Sequence, residues 1–102
     1  MESEVKKIRA DWHVVSSKIA EVDLGCPLPP QTREQKKRAV EGYRECLFKL
    51  RTIENGLRKI NTRDAQAVLY LVEDDKNHCT ERIQRILEFH GNQDLFGDNK
   101  NN

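Results

Sequence analysis

Three acids in a row, Glu73, Asp74 and Asp75, together with three histidines and three cysteines, are the side chains of this sequence that could do chemistry. A general acid and a general base must converge on one substrate within hydrogen-bond reach. Consecutive residues of a helix point about 100° apart, so the three acids cannot converge if they share a helix. His13, His78 and His90 show no His-Glu-x-x-His pattern, and Cys26, Cys46 and Cys79 lack the C-x-x-C spacing of zinc and redox sites. His78 and Cys79 with distant partners are the one metal arrangement left open. An odd number of widely spaced cysteines argues against a disulfide framework and for reduced thiols in a cytosolic setting. No glycine-rich phosphate loop, Walker motif or Gly-x-Ser-x-Gly elbow appears. The expectation is a protein that is not an enzyme, with no catalytic residues, no metal and no cofactor.

Charge and length narrow the classes further. The 18 Lys and Arg nearly cancel the 17 Asp and Glu, leaving a formal net charge of +1, which gives nucleic-acid binding no overall electrostatic support. The basic runs Lys36, Lys37, Arg38 and Arg82, Arg85 read as solvated helix faces. At 102 residues the chain has room for one small domain. No apolar run is long enough to span a bilayer and the N-terminus has no signal-peptide core, so neither membrane insertion nor export is expected. The ending FGDNKNN reads as the start of a polar linker, as in a domain cut from a longer intracellular protein.

The elements that must position any site are helices. Val5, Ile8, Trp12, Val15, Ile19 and Val22 recur at steps of three and four, and CPLPP then excludes helix. Thr32 can cap a second helix, with Gln35 as its capping-box partner. That helix carries the stripe Ala39, Tyr43, Cys46, Leu50, Ile53, Leu57 and Ile60, interrupted only by Gly56. Thr62 or Asp64 can cap a third, with Ala65, Leu69, Val72, Cys79, Ile83 and Ile86 as its stripe and Gly91 as its stop. Lys76 falls where the stripe asks for an apolar residue, and can lay its methylenes on the core with its ammonium in water. The fold expected is all-α, an antiparallel up-down-up three-helix bundle over residues 1–91, with helices at about 3–24, 33–60 and 63–90 and a flexible polar tail at 92–102. A bundle of this size has no room for a deep pocket.

The third helix carries more apolar surface than this stripe uses. Ala67, Tyr70, Asp74 and Asn77 follow one another at helical spacing on the opposite side, with Leu71 adjacent. On the second helix Val40 and Leu47 flank the stripe and Phe48 points away from it. A shallow apolar strip rimmed by Asp74 and Glu73 suits a small apolar partner surface with a basic rim, bound weakly.

These three segments resemble the GAT domains that follow a VHS domain in the GGA and Target-of-Myb trafficking adaptors. KIRADWHVVSSKIAEV is similar to the family's first helix, with its Lys-Leu-Arg-x-Asp start; Cys46, Leu50, Ile53, Leu57 and Ile60 resemble its central helix. LYLVEDDKNHCTERIQRI resembles its Leu-Leu-x-Val-Asn-Asp-x-Leu-x-x-Val pattern, with Asp74 on the characteristic aspartate, although Glu73 and Lys76 stand where the family has asparagine and leucine. The resemblance runs from Lys7 to about Leu87. It implies a three-helix ubiquitin-binding adaptor module that sorts ubiquitinated cargo, a cytoplasmic protein held peripherally on endosomal or Golgi membranes. Its implied partners are ubiquitin and other trafficking proteins, and it is expected to be a monomer. The positions matching the family's ubiquitin site on the third helix are Tyr70 and Asp74, with Ala67, Leu71 and Asn77 as neighbours. Those matching a second site, between the end of helix 1 and the start of helix 2, are Val22, Leu24, Val40 and Glu41. Two alternatives compete. Cys79, Ile83, Gln84, Ile86 and Leu87 resemble the end of a BAG-type cochaperone bundle, a nucleotide-exchange factor, although the stretch before them is acidic here where that domain is basic. The other is a structural helical interaction domain.

Overall fold

The computed structural model describes residues 2–26 and 32–90, with side chains from 4 to 26 and from 32 to 88. They form three helices and no strand: α1 (Glu2–Gly25), α2 (Arg33–Arg58) and α3 (Arg63–His90). The tail at 92–102, the stop at Gly91 and most of CPLPP lie outside the described residues.

Local chemistry starts α2 and α3 where their caps stand. The Gln35 amide donates to Thr32 Oγ1 at 3.0 Å and the Thr32 amide to Gln35 Oε1 at 3.2 Å, the reciprocal capping box. For α3 the cap is Thr62, whose hydroxyl accepts from the Ala65 amide at 3.1 Å. The second helix ends at Arg58, two residues short of expectation, because its last turn tightens: the Lys59 amide donates to Gly56 O at 3.3 Å and the Ile60 amide to Leu57 O at 2.9 Å. Ile60 is still buried, packed from beyond the helix end.

Cross-helix pairs give the directions. Val22 lies over Gly42 and Ile8 over Gly56, so α1 runs against α2. Tyr43 pairs with Arg82 and Glu54 with Lys76, so α3 also runs against α2. Trp12 bonds Asp75 and Asp23 meets His78, so α1 and α3 are parallel. The result is the up-down-up bundle, 55 × 21 × 15 Å, with α2 packed on both neighbours and α1 touching α3 least.

That central position widens the core of α2. All seven of its expected stripe residues are buried, and so are Val40 and Leu47, which flank that stripe. A helix flanked on two sides needs a broader apolar face than a single seam supplies. In the first turns of α3 Ala65 and Val68 are buried, with Leu69 only partly covered. Val5, Val15 and Ile19 of α1 are buried, while Ile8, Trp12 and Val22 pack on the core edge.

Candidate functional site

The outward face of α3 is where the expected site residues come together. Tyr70 and Asp74 each sit two residues from Val72, a turn of about 200°, so they face away from the side that Val68, Val72 and Cys79 bury. Tyr70 is 78% exposed and Leu71, at its flank, 43%. Ala67 and Asn77 are exposed one turn to either side, and Asp74 is exposed with no ion-pair partner among the described residues. The face is a shallow apolar strip with one free carboxylate.

The neighbouring acids have different fates. Asp75 is half-buried and accepts a 2.9 Å hydrogen bond from the Trp12 indole N–H, 63 positions away, so it links α3 to α1. Burial pushes its carboxyl above the ordinary value, and the indole bond only partly offsets that. Glu73 stays on the surface, 3.7 Å from Lys76 Nζ. Lys76 does not leave its ammonium in water: Nζ donates to Glu54 Oε1 at 2.9 Å, while Arg58 donates to Glu54 Oε2 at 2.7 Å. These bonds, Arg58 first, hold the Glu54 carboxyl down to about 2 against the opposing effect of burial.

A second polar cluster ties the three helices together. Tyr43, fully buried, donates its hydroxyl to Asp23 and accepts from Arg82 Nε at 3.1 Å; His78 Nε2 lies 3.0 Å from Asp23 Oδ2. Arg82 also donates to Cys26 O at 3.3 Å. Arg82 is therefore an interior ligand of the bundle, not part of a solvated basic face, and Lys36 of the other basic run is buried too. His78 is held by Asp23, and Cys79 is wholly buried in the core. Among the described residues no group of three or more His, Cys, Asp or Glu could hold a metal ion. Burial raises all three thiols, Cys79 to about 12, so little thiolate exists at neutral pH.

The four residues of the expected second site do not form one surface. Val22 and Glu41 line a groove of about 570 Å³ between the end of α1 and the start of α2. Leu24 is 87% exposed but lies off that groove, and Val40 is 0% exposed, a core residue no partner could touch. Helix spacing alone could not place Val40, because its burial depends on which flank of α2 the neighbouring helices cover. One feature escaped sequence reasoning: Val14 is 69% exposed and lines a cavity of about 400 Å³ together with the exposed Phe48. Each stands off the apolar stripe of its own helix, and only the pairing of α1 with α2 joins them.

No helix among the described residues is long and apolar enough to cross a membrane. No protein-family model matches the chain, and no curated protein or solved structure matches it.

Proposed function

We propose that this chain is a ubiquitin-binding adaptor module that acts through the outward face of α3. The observation that carries the reading is Tyr70, 78% exposed beside the unpaired Asp74 on the side of α3 that the bundle leaves free. A buried-face helix that places a tyrosine, a leucine and a carboxylate on its solvent side supplies an apolar contact with a polar edge to orient it. The likeness of α3 to the third helix of GAT domains names ubiquitin as the partner, and sorting of ubiquitinated cargo on endosomal or Golgi membranes as the setting. The patch is small, at the low end for a specific interface, which fits weak binding made useful by many copies of cargo and adaptor.

The test is a titration of the isotope-labelled chain with monomeric ubiquitin, followed by amide chemical shifts. Shifts centred on Tyr70 and Asp74, weakened at least fivefold in affinity by Tyr70→Ala or Asp74→Ala with the thermal midpoint unchanged, support the reading. No shift at about 1 mM ubiquitin, where even a contact worth only about 4 kcal/mol would be half occupied, removes it.

A further inference from the structure

The outward strip carrying Tyr70 and Asp74 lies on a single helix. A specific interface, even at the low end of the range, covers roughly 600 Å² on each partner, more than the apolar side chains of one helix face offer. A partner seated on the strip therefore reaches past α3, and the two edges it could cross differ. Toward α2 the edge is ionic: Glu73 lies 3.7 Å from Lys76 Nζ, and Lys76 and Arg58 both donate to Glu54. Covering ions that are already paired strips them of water for no new bond.

Toward α1 the edge is apolar. Around α3 the side chains of Tyr70, Asp74, Ala67, Leu71 and Asp75 follow one another in steps of about 20–40°, so the surface runs on from the tyrosine to Leu71, which is 43% exposed. Asp75, one turn beyond Leu71, accepts the 2.9 Å hydrogen bond of the Trp12 indole. That bond brings a partly exposed aromatic of α1 beside Leu71 across the seam between the two helices. On its far side the indole is bordered by His13, whose ring centroid is 4.7 Å away, and by the exposed Arg9 one turn earlier. The continuous apolar surface thus ends at a carboxylate on α3 and at basic side chains on α1.

We propose that ubiquitin bound on the α3 strip also rests on Trp12 of α1, so that the site is a composite of two helices in which Trp12 is a binding residue and Asp75 the positioning residue that holds it. The inference rests on the ubiquitin reading of Tyr70 and Asp74 and adds a second aromatic anchor to it. Tryptophan combines a large apolar face with a polar N–H, and here the N–H is satisfied inside the protein, which leaves the ring face for the partner. An indole already fixed by its hydrogen bond loses little freedom when it is covered.

The test is cross-saturation on the full 102-residue chain, deuterated except at its amides and at the ring of its single tryptophan, with protonated ubiquitin in excess. Irradiating the aliphatic protons of ubiquitin should attenuate the Trp12 ring signals together with the amides of Tyr70 and Leu71. Trp12→Phe should weaken ubiquitin at least threefold. Asp75→Ala should do the same, while Asp75→Asn, which keeps an acceptor for the indole, stays within twofold of the unaltered chain. Circular dichroism and the thermal midpoint check that each variant is folded, and where one is not, the attenuation on the unaltered chain decides. Attenuation at Tyr70 with the Trp12 ring untouched, or spreading to Arg51 and Lys76 in its place, overturns the proposal and leaves the ubiquitin reading standing. So does an affinity unmoved by Trp12→Phe. Attenuation nowhere on the chain removes both.

Discussion

The central helix meets its two neighbours in opposite ways. Toward α3 it is sealed: Val68, Val72, Cys79 and Ile86 are buried, and the Glu54 carboxylate clamps Lys76 across the seam. Toward α1 it is close at a few points and open along its rim. Gly42 lets Val22 approach so nearly that a Cβ there would stand 2.8 Å from Val22 Cγ2, whereas Val14 and Phe48 remain in water. The same three-and-four spacing builds both seams, so periodicity does not tell a finished interface from an unfinished one. The difference lies in what α2 offers each neighbour: buried branched side chains meet α3, whereas glycines lie under Val22 and Ile8 of α1 and the rim beside them is charged.

Breaking the sealed seam should have the largest effect. Glu54→Ala removes the carboxylate that Lys76 and Arg58 share and should cost about 2 kcal/mol in urea unfolding, tempered because Arg58 is mostly exposed and Lys76 keeps Glu73 at 3.7 Å. Replacing the pair together, Glu54→Leu with Lys76→Met, should recover most of that loss, because the charge that would be stranded has gone. The same carboxylate predicts an acid limb. Its folded value, about 2, lies below the ordinary 4.5, so the unfolded chain binds its proton more readily and the contribution is complete above pH 5. Stability should fall as pH drops from about 5 towards 2, and that limb should flatten in Glu54→Gln. Asp75, raised by burial, works in the other direction and relieves part of the loss in acid.

Smaller effects sharpen the contrast on the α1 side. Gly42→Ala gains helix propensity but collides with a stiff β-branched neighbour, and a net loss of about 1 kcal/mol is expected. In a Val22→Ala background the same change should become neutral or stabilising, a coupling that a double-mutant cycle reads directly. Gly56→Ala meets only Ile8 Cδ1, at 3.6 Å, and should stabilise by about 0.5–1 kcal/mol, visible as a higher thermal midpoint. Phe48→Ser, on the open rim, should move stability by no more than about 0.5 kcal/mol.

The outward strip of α3 was legible in the sequence because it is a property of one helix. Two residues from Val72 is the far side of α3 whatever packs on the near side, so Tyr70 and Asp74 could be placed without a fold. Val40 could not, since it stands at the margin of its stripe and its exposure depends on the reach of the helices around it. Lys76 reads as a snorkelling lysine from its own helix and as half of an ion pair once Glu54, 22 positions earlier, faces it. Asp75 beside Trp12, and Asp23 beside Tyr43, His78 and Arg82, depend in the same way on pairings between helices.

The sequence by itself determined three helices, the cap at Thr32, most of the residues facing inward and the outward side of α3 carrying Tyr70. Each of these follows from the 3.6-residue period and from hydrogen bonds between near neighbours in the chain. The tertiary structure alone decided which charges are buried as partners, which flank of α2 is covered, and that Val14 and Phe48 share one groove. Those outcomes depend on the directions and spacing of whole helices, a sum of many weak contacts that no local stretch encodes.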